Sequence, residues 1–255
     1  MSMVAWLFTV AVFWLLMGRV LRSAEAQRAL RRKPWGDWLL DLTGLLVQGV
    51  GVPLLQVLLV AVILRELLPD WSGRVALPGN AFVAGFLINV VVVDYLYYWN
   101  HRLLHTRLLW PVHRVHHTLT AMDVLGTSRN TVWSSAFIVY LWVNGALIFF
   151  LEQPAGVVAG ATLTAALDLW RHSASGPQPG SALHRALSPW LILPEDHAWH
   201  HADAEVFGNY GANLVIWDRL HGTLIQAPEP PRALGVARLP LWRELLWPFG
   251  GKERS

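Results

Sequence analysis

The chain has no cysteine among its 255 residues. That excludes disulfides, thiolate metal sites and cysteine nucleophiles together, and it leaves the redox compartment open. Charge is also scarce. Asp, Glu, Lys and Arg supply 15% of the residues and hydrophobic types 54%, whereas a soluble domain carries about 25% charged residues. The net charge of +3 is too small to point to nucleic acid, so none is expected as a partner. Histidine is missing before residue 101 and after residue 221, although the chain contains eleven. Tryptophan is plentiful at fifteen residues, many at the ends of apolar runs, where interfacial anchors sit.

Five apolar stretches stand out, at about 3–21, 39–64, 81–100, 132–151 and 154–170. At ~1.5 Å per residue, roughly 20 helical residues cross a hydrocarbon core of ~30 Å. The first, third and fourth fit that length. The second is interrupted by Gly44, Gly49, Gly51 and Pro53 and is expected to tilt or kink. The fifth is short and ends at Asp168, so the fourth and fifth form either two crossings or a re-entrant hairpin turning at Glu152-Gln153-Pro154. The first stretch lacks the basic leader and cleavage site of a signal peptide. Arg19, Arg22, Arg28, Arg31, Arg32 and Lys33 follow it, which by the positive-inside rule makes that loop cytoplasmic and the N-terminus external. Alternate crossings then put 101–131 and everything after about 170 on the cytoplasmic side. The expected fold is an all-α, multi-pass integral membrane protein, with four to five transmembrane helices and a cytosolic histidine-rich helical lobe. Its parts are the N-terminal helices and basic loop (1–80), a catalytic region (81–226) and an amphipathic tail (227–255), whose Trp242 and Trp247 suit a membrane surface.

Eight histidines fall in three clusters: His101 and His105 at i, i+4; His113, His116 and His117 at i, i+3, i+4; and His197, His200 and His201 with the same spacing. Residues three and four apart share a helix face, so each cluster aims its imidazoles one way. A lone histidine near a helix end reads as a cap or an interfacial residue, but three clusters on one side of a membrane read as a metal site. Eight imidazoles exceed what one ion uses, since four-coordinate zinc leaves half of them idle. Two octahedral ions accommodate them all and keep positions for oxygen or water. Asp94, on the face of His101 and His105, either accepts a ring N–H from a ligand or pairs with Arg102. Asp168 and His172, one turn apart, offer a carboxylate and a ninth imidazole, or a structural pair at a helix end. His184 and His221 stand alone and read as surface or core residues.

These residues resemble the fatty acid hydroxylase and sterol desaturase superfamily of membrane di-iron proteins. The likeness rests on Asp94-Tyr-Leu-Tyr-Tyr-Trp-Asn-His101-Arg-Leu-Leu-His105 and Leu109-Trp-Pro-Val-His113-Arg-Val-His116-His117-Thr118. It continues through Pro194-Glu-Asp-His197-Ala-Trp-His200-His201, Asn209-Tyr-Gly211 and Trp217-Asp-Arg-Leu-His-Gly-Thr223, so it covers roughly 90–223. It implies two Fe ions held by the three motifs, with His172 at the position of an additional family histidine. Zinc is a foreseeable replacement in purified protein. It also implies O2-dependent hydroxylation or desaturation of a fatty acyl, sterol or related lipid. Electrons are expected from a separate donor such as a ferredoxin, cytochrome b5 or a reductase. Two departures stand out: His221 replaces a frequent Phe, and Asp168 stands where some members have histidine, which opens the ligand set at one iron to a carboxylate. Asn209-Tyr210-Gly211 and Trp217-Asp218-Arg219 read as a turn and a short element bracing the last histidine cluster. The alternative is a non-redox membrane protein that binds or transports Zn or Cu through the same histidines. A zinc hydrolase is a weaker rival, since no His-Glu-x-x-His signature occurs.

The charge bias generates a direct test. Reporter fusions at residue 75 and residue 255 are expected to report opposite sides of the membrane. The same side for both removes the five-crossing topology.

Overall fold

The computed structural model of the protein describes residues 3–203, 208–227 and 229–249. It is all-helical, and the described residues form isolated β-bridges only. Three helices are long and apolar enough to cross a membrane: α1 (Met3–Val20), α3 (Trp35–Leu67) and α4 (Ala81–Leu104). Between the first two lies α2 (Ala24–Arg32), opened by Ser23, whose hydroxyl accepts the Ala26 N–H at 3.3 Å, as a polar N-cap does. Asn80 opens α4 in the same way, accepting the Val83 N–H at 3.2 Å.

The interruption foreseen in the second stretch has a specific form. Pro53 has no N–H to give the Gly49 carbonyl one turn back. The helix widens to a π-type turn over Val47–Gly51, and Trp6 of α1 donates its indole N–H to that Gly49 carbonyl at 3.2 Å. A neighbouring helix thus satisfies the group the proline orphans.

The fourth stretch does not form the single span-length helix expected of it. The helix α6 (Val139–Phe150) has 12 residues, about 18 Å by helical rise, and the chain breaks just before it at an extended Ile138. A short helix, α5 (Trp110–His113), precedes it in the chain. Asn100 of α4 fixes the break, donating to the Phe137 carbonyl at 2.9 Å and accepting the Val139 N–H at 3.1 Å. Upstream, Trp133 donates to the Leu246 carbonyl at 2.6 Å, so residues before the break pack on the C-terminal segment.

After α6 the chain turns beside the loop that joins α3 to α4. Gly73 and Val75 donate to the carbonyls of Phe149 and Phe150 at 2.9 and 2.8 Å, and Glu152 donates back to Val75 at 3.0 Å. The next helix, α7 (Ala155–His172), therefore starts level with α4 and runs parallel to it. Close approach is possible because glycines face α4. A Cβ on Gly156 would lie 2.0 Å from the Phe82 carbonyl oxygen, and one on Gly160 would lie 2.6 Å from the Asn89 Cβ. Small residues four apart allow such backbone contact between apolar helices. Asn89 also donates to Asn144 of α6 at 2.8 Å, tying three helices together in the interior. Because α7 is enclosed by its neighbours, Thr162, Thr164 and Asp168 need not face lipid.

A buried charge network joins α3, the 118–131 segment and the C-terminal segment. Arg129, 1% exposed, meets Asp41 at 2.6 Å and Asp37 at 3.1 Å. Lys33 bridges Asp41 and Asp123, and Arg238 bridges Asp37 and the fully buried Glu244. Removing one member of such a set strands the others without solvent. The tail therefore packs against α3 through Glu244, which bonds Arg238. The other short helices include α8 (Ala182–Leu187), α9 (Pro194–His200), α10 (Ile216–Leu220) and α11 (Leu241–Leu246), and Ser134–Phe137 forms a single helical turn. Trp242 and Trp247 stay exposed, at 59% and 57%.

The α4–α7 contact predicts a contrast between two glycines. Gly156→Ala is expected to destabilise the protein by ~1–3 kcal/mol, because its methyl meets backbone. Gly18→Ala, with open space around its Cβ, is expected to be neutral or stabilising by up to ~1 kcal/mol. Thermal unfolding of the two purified variants in one detergent checks this.

Candidate metal centre

Nine imidazoles converge at the C-terminal ends of α4 and α7. One group contains His101, His105, His113, His117 and His200, and the other His116, His172, His197 and His201. Within each group, one nitrogen per residue lies within 4.8 Å of all the others. His101 Nε2 and His117 Nε2 stand 2.9 and 3.2 Å from His113 Nε2, while His116 Nε2 and His197 Nε2 stand 3.1 and 3.0 Å from His172 Nε2.

The two i, i+3, i+4 motifs do not each face one way, as helical spacing implied. His113 and His117 join the first group and His116 the second. In the last motif the split is reversed, with His197 and His201 in the second group and His200 in the first. The reason is local. α5 ends at His113, and His116–Thr118 form a 3-10 turn, so the middle ring rotates away from its neighbours. Each motif therefore contributes to both groups and locks their relative position.

Backbone carbonyls fix four of the rings from behind. The Nδ1–H groups of His101, His116, His172 and His200 donate to the carbonyls of Tyr210 (2.9 Å), Arg129 (3.3 Å), Asp168 (2.9 Å) and Gly208 (2.7 Å). A carbonyl can only accept, so the proton sits on Nδ1 and the Nε2 lone pair is free to face the group's centre. Burial then favours the neutral form of the rings in the second and third motifs. His116 is held down to about 3 and His200 to about 4, with desolvation the main cause. His113, His117, His197 and His201 are lowered by burial and then by neighbouring rings. Neutral imidazole is the ligand form.

The donor set fits metal ions. The Nε2 of His200 and both nitrogens of His201 are buried with no hydrogen-bond partner, a costly state unless something else receives their lone pairs. At ~2.1 Å from a shared ion, adjacent octahedral positions lie ~3.0 Å apart and tetrahedral ones ~3.4 Å. Three of the four nitrogen separations, 2.9–3.1 Å, are nearer the octahedral value, and the fourth, 3.2 Å, lies midway.

Asp94 is a correction to the expectation that it orients a ligand or pairs with Arg102. Its carboxylate accepts the N–H groups of Asn213 (2.9 Å) and Leu214 (3.1 Å) and the Trp217 indole at 2.8 Å. The 209–217 segment lies between it and the rings, so Asp94 holds the segment that presents the Tyr210 carbonyl. Asp168 does not join either nitrogen group. Its carboxylate lies 3.4 Å from His172 Nδ1 and 2.9 Å from Arg171, behind the ring. His221 packs against the rings of Tyr95 and Tyr98 and meets the Tyr95 hydroxyl at 3.2 Å, and His184 meets Glu195 at 2.6 Å; both stand apart from the two groups.

The turn and the short element foreseen as braces hold the carbonyls that accept from the rings. Asn209 adopts positive φ (55°) and bonds the Asp196 and Ile225 carbonyls at 2.7 and 2.9 Å, while Asp218 accepts the Tyr210 and Gly211 N–H groups at 2.8 and 2.7 Å. Sequence reasoning missed Arg129, because nothing in its neighbourhood marks it as more than a loop cation. A cavity of about 240 Å³ approaches the rings from within the helices, lined by residues including Gln56, Tyr97, Tyr140, Thr164, Asp168 and Arg171.

Such a centre, all-imidazole and at the ends of membrane-length helices, matches one class of protein. The sequence model of the fatty acid hydroxylase family matches residues 86–223, over half of the chain, and the protein belongs to that family. Ornithine lipid hydroxylase OlsE of Rhizobium tropici is 32% identical over 176 residues, covering 66% of this chain and 51% of that protein. Alkylglycerol monooxygenase of Xenopus tropicalis is 26% identical over 148 residues, 56% of this chain and 30% of that protein. Very-long-chain aldehyde decarbonylase GL1-8 of Oryza sativa subsp. indica is 30% identical over 169 residues, covering 61% and 54%. The chain thus spans about half the length of these relatives or less. No solved structure matches it.

The placement of Asp168 predicts how its variants behave. Asp168→Asn is expected to keep bound metal and to lower turnover by about 10–100-fold, the scale for partners that orient a ligand. His172→Ala is expected to lose metal as severely as His116→Ala. Elemental analysis of the three purified variants, with turnover measured alongside, checks both.

Proposed function

We propose that this protein is an O2-dependent membrane di-iron oxygenase that hydroxylates or desaturates a lipid-like substrate. The observation that carries the reading is the division of nine clustered imidazoles into two groups. His101, His105, His113, His117 and His200 would hold one iron, and His116, His172, His197 and His201 the other. Bound there, the irons supply redox chemistry with O2 that zinc, which has no redox change, does not. Hydroxylation balances as R–H plus O2, two electrons and two protons giving R–OH and water, so a separate reductant is required. Ferredoxin, cytochrome b5 and a reductase are the candidate classes.

The protein's own groups do the positioning. The carbonyls of Tyr210, Arg129, Asp168 and Gly208 orient the rings, and the Asp168–Arg171 pair neutralises charge beside His172. The interhelical cavity offers an apolar path from the bilayer. On the opposite side, Gly235 and Val236 donate to the carbonyls of His201 and His117 at 3.0 and 2.8 Å, covering the rings and helping to exclude water. Two relatives are named as a lipid hydroxylase and a monooxygenase, which supports a lipid substrate and oxygen chemistry. Lys33, in the basic loop, meets Asp123 at 2.8 Å, just after the second histidine motif. That contact supports a basic loop and rings on the same side of the membrane, and with it a cytoplasmic active site.

Protein purified without added metal is expected to contain about two irons per chain and to consume O2 when given reductant and lipid. His105→Ala, His116→Ala and His200→Ala are each expected to abolish turnover and lower bound iron while still inserting into the membrane. Stoichiometric zinc in the native protein, with no O2 uptake under any reductant, overturns the reading in favour of a non-redox metal protein.

A further inference from the structure

The interhelical cavity contains two hydrogen-bond donors that nothing among the described residues satisfies. The Tyr140 hydroxyl of α6 and the Arg171 Nε of α7 are both buried without a partner, and both residues line the cavity. Few buried polar groups in folded proteins stay unpaired, and those that do mark a missing partner. The rest of the Arg171 guanidinium is engaged, Nη1 with Asn213 at 3.1 Å and Nη2 with Asp168 at 2.9 Å. Its charge is therefore already balanced. What remains is a single N–H and a phenol O–H on residues lining one cavity, and both suit a neutral oxygen. A carboxylate or phosphate would bring uncompensated charge next to the Asp168 carboxylate, which also lines the cavity, and that disfavours it.

The cavity also lies beside both histidine groups. Tyr140 stacks on Tyr97 at 4.7 Å, and Tyr97 lies 5.2 Å from the His101 ring. Asp168 and Arg171 precede His172 on α7. At about 240 Å³, the space is smaller than the ~300–1,000 Å³ pockets that enclose a whole drug-sized ligand. It suits one segment of a chain, with the remainder outside.

We infer that Tyr140 and Arg171 bind a neutral oxygen of the substrate. The cavity then selects a lipid chain carrying an ether, ester, amide or hydroxyl oxygen near the carbon presented to the rings, over a plain hydrocarbon. The inference deepens the proposed function and rests on it, since it takes this cavity as the route to the metal centre.

Binding is measured without turnover, so that failure of the oxygenase reading shows up separately as absent O2 uptake. The full chain, in lipid nanodiscs, is titrated with hexadecane and with a dialkyl ether of the same chain length, each displacing a fluorescent polyene chain. The wild type is expected to bind the ether ~2–10-fold more tightly than the alkane, the worth of a neutral hydrogen bond. Tyr140→Phe, which removes one oxygen atom and keeps the ring stack, is expected to lose most of that preference at unchanged alkane affinity. Ala161→Phe, which fills the cavity from α7, is expected to weaken both probes at least tenfold. Equal wild-type affinity for ether and alkane overturns the inference. So does a preference that survives in Tyr140→Phe, or binding of both probes undiminished in Ala161→Phe.

Discussion

Nine imidazoles enclosed together cannot satisfy one another, and much of the structure answers that constraint. A neutral ring has one donor and one acceptor. When the acceptors converge, the donors must point outward, and four of the nine find a main-chain oxygen there. Tyr210, Arg129, Asp168 and Gly208 supply those oxygens from the main chain. Main-chain oxygens have an advantage over carboxylates here, because they orient a ring without adding charge to a site already shielded from water. The arrangement works only if those four carbonyls are held in place, which transfers the problem to the segments that carry them.

Two of the four come from one turn. Gly208 and Tyr210 flank Asn209, whose side chain and positive φ hold the turn open while Asp218 binds the N–H groups beyond it. Thr223 donates to Asp218 at 2.7 Å, and Asp94 clamps Asn213 and Leu214. Residues spread from 94 to 223 thus converge on the position of two oxygen atoms. The third carbonyl belongs to Arg129, whose side chain is fixed by Asp37 and Asp41 of α3. The charge network and the histidine rings are therefore one mechanical unit. An ion pair of α3 reaches the second histidine group through a single residue.

The histidines themselves were readable from spacing, because metal ligation needs several rings close together in the chain as well as in space. The bracing role of Asn209-Tyr210-Gly211 and of the Trp217-Asp218-Arg219 element was readable too, as a turn and a short helix. The split of each three-histidine motif between groups was not. It depends on α5 stopping at His113 and on His201 lying past the end of α9, and helix ends are the least legible feature of a sequence. Asp94 misled for a related reason. Helical periodicity places it on the face of His101, but the segment that inserts between them comes from more than a hundred residues later. Asp37, Asp41 and Arg129 looked like ordinary polar residues, since only the fold reveals that they are buried together. The short α6 was hidden because an apolar composition does not show the break at Ile138, which Asn100 of another helix stabilises.

The polarity of α7 follows from its place in the bundle. As a lone membrane helix its threonines, Asp168 and Arg171 would be expensive. Packed by glycine against α4 and covered by α1 and α6, it meets the cavity and the rings instead of lipid. Asn213 accepts from Arg171 and donates to Thr164 at 2.8 Å, so the C-terminal half of α7 is bound to the same segment that carries the Tyr210 carbonyl. Helix α7 thus gives His172 to one histidine group, braces the turn serving the other, and leaves one arginine N–H facing the cavity. A helix with three such duties cannot be uniformly apolar, which is why its low hydropathy is a sign of its function within the membrane-associated bundle and not of a position outside it.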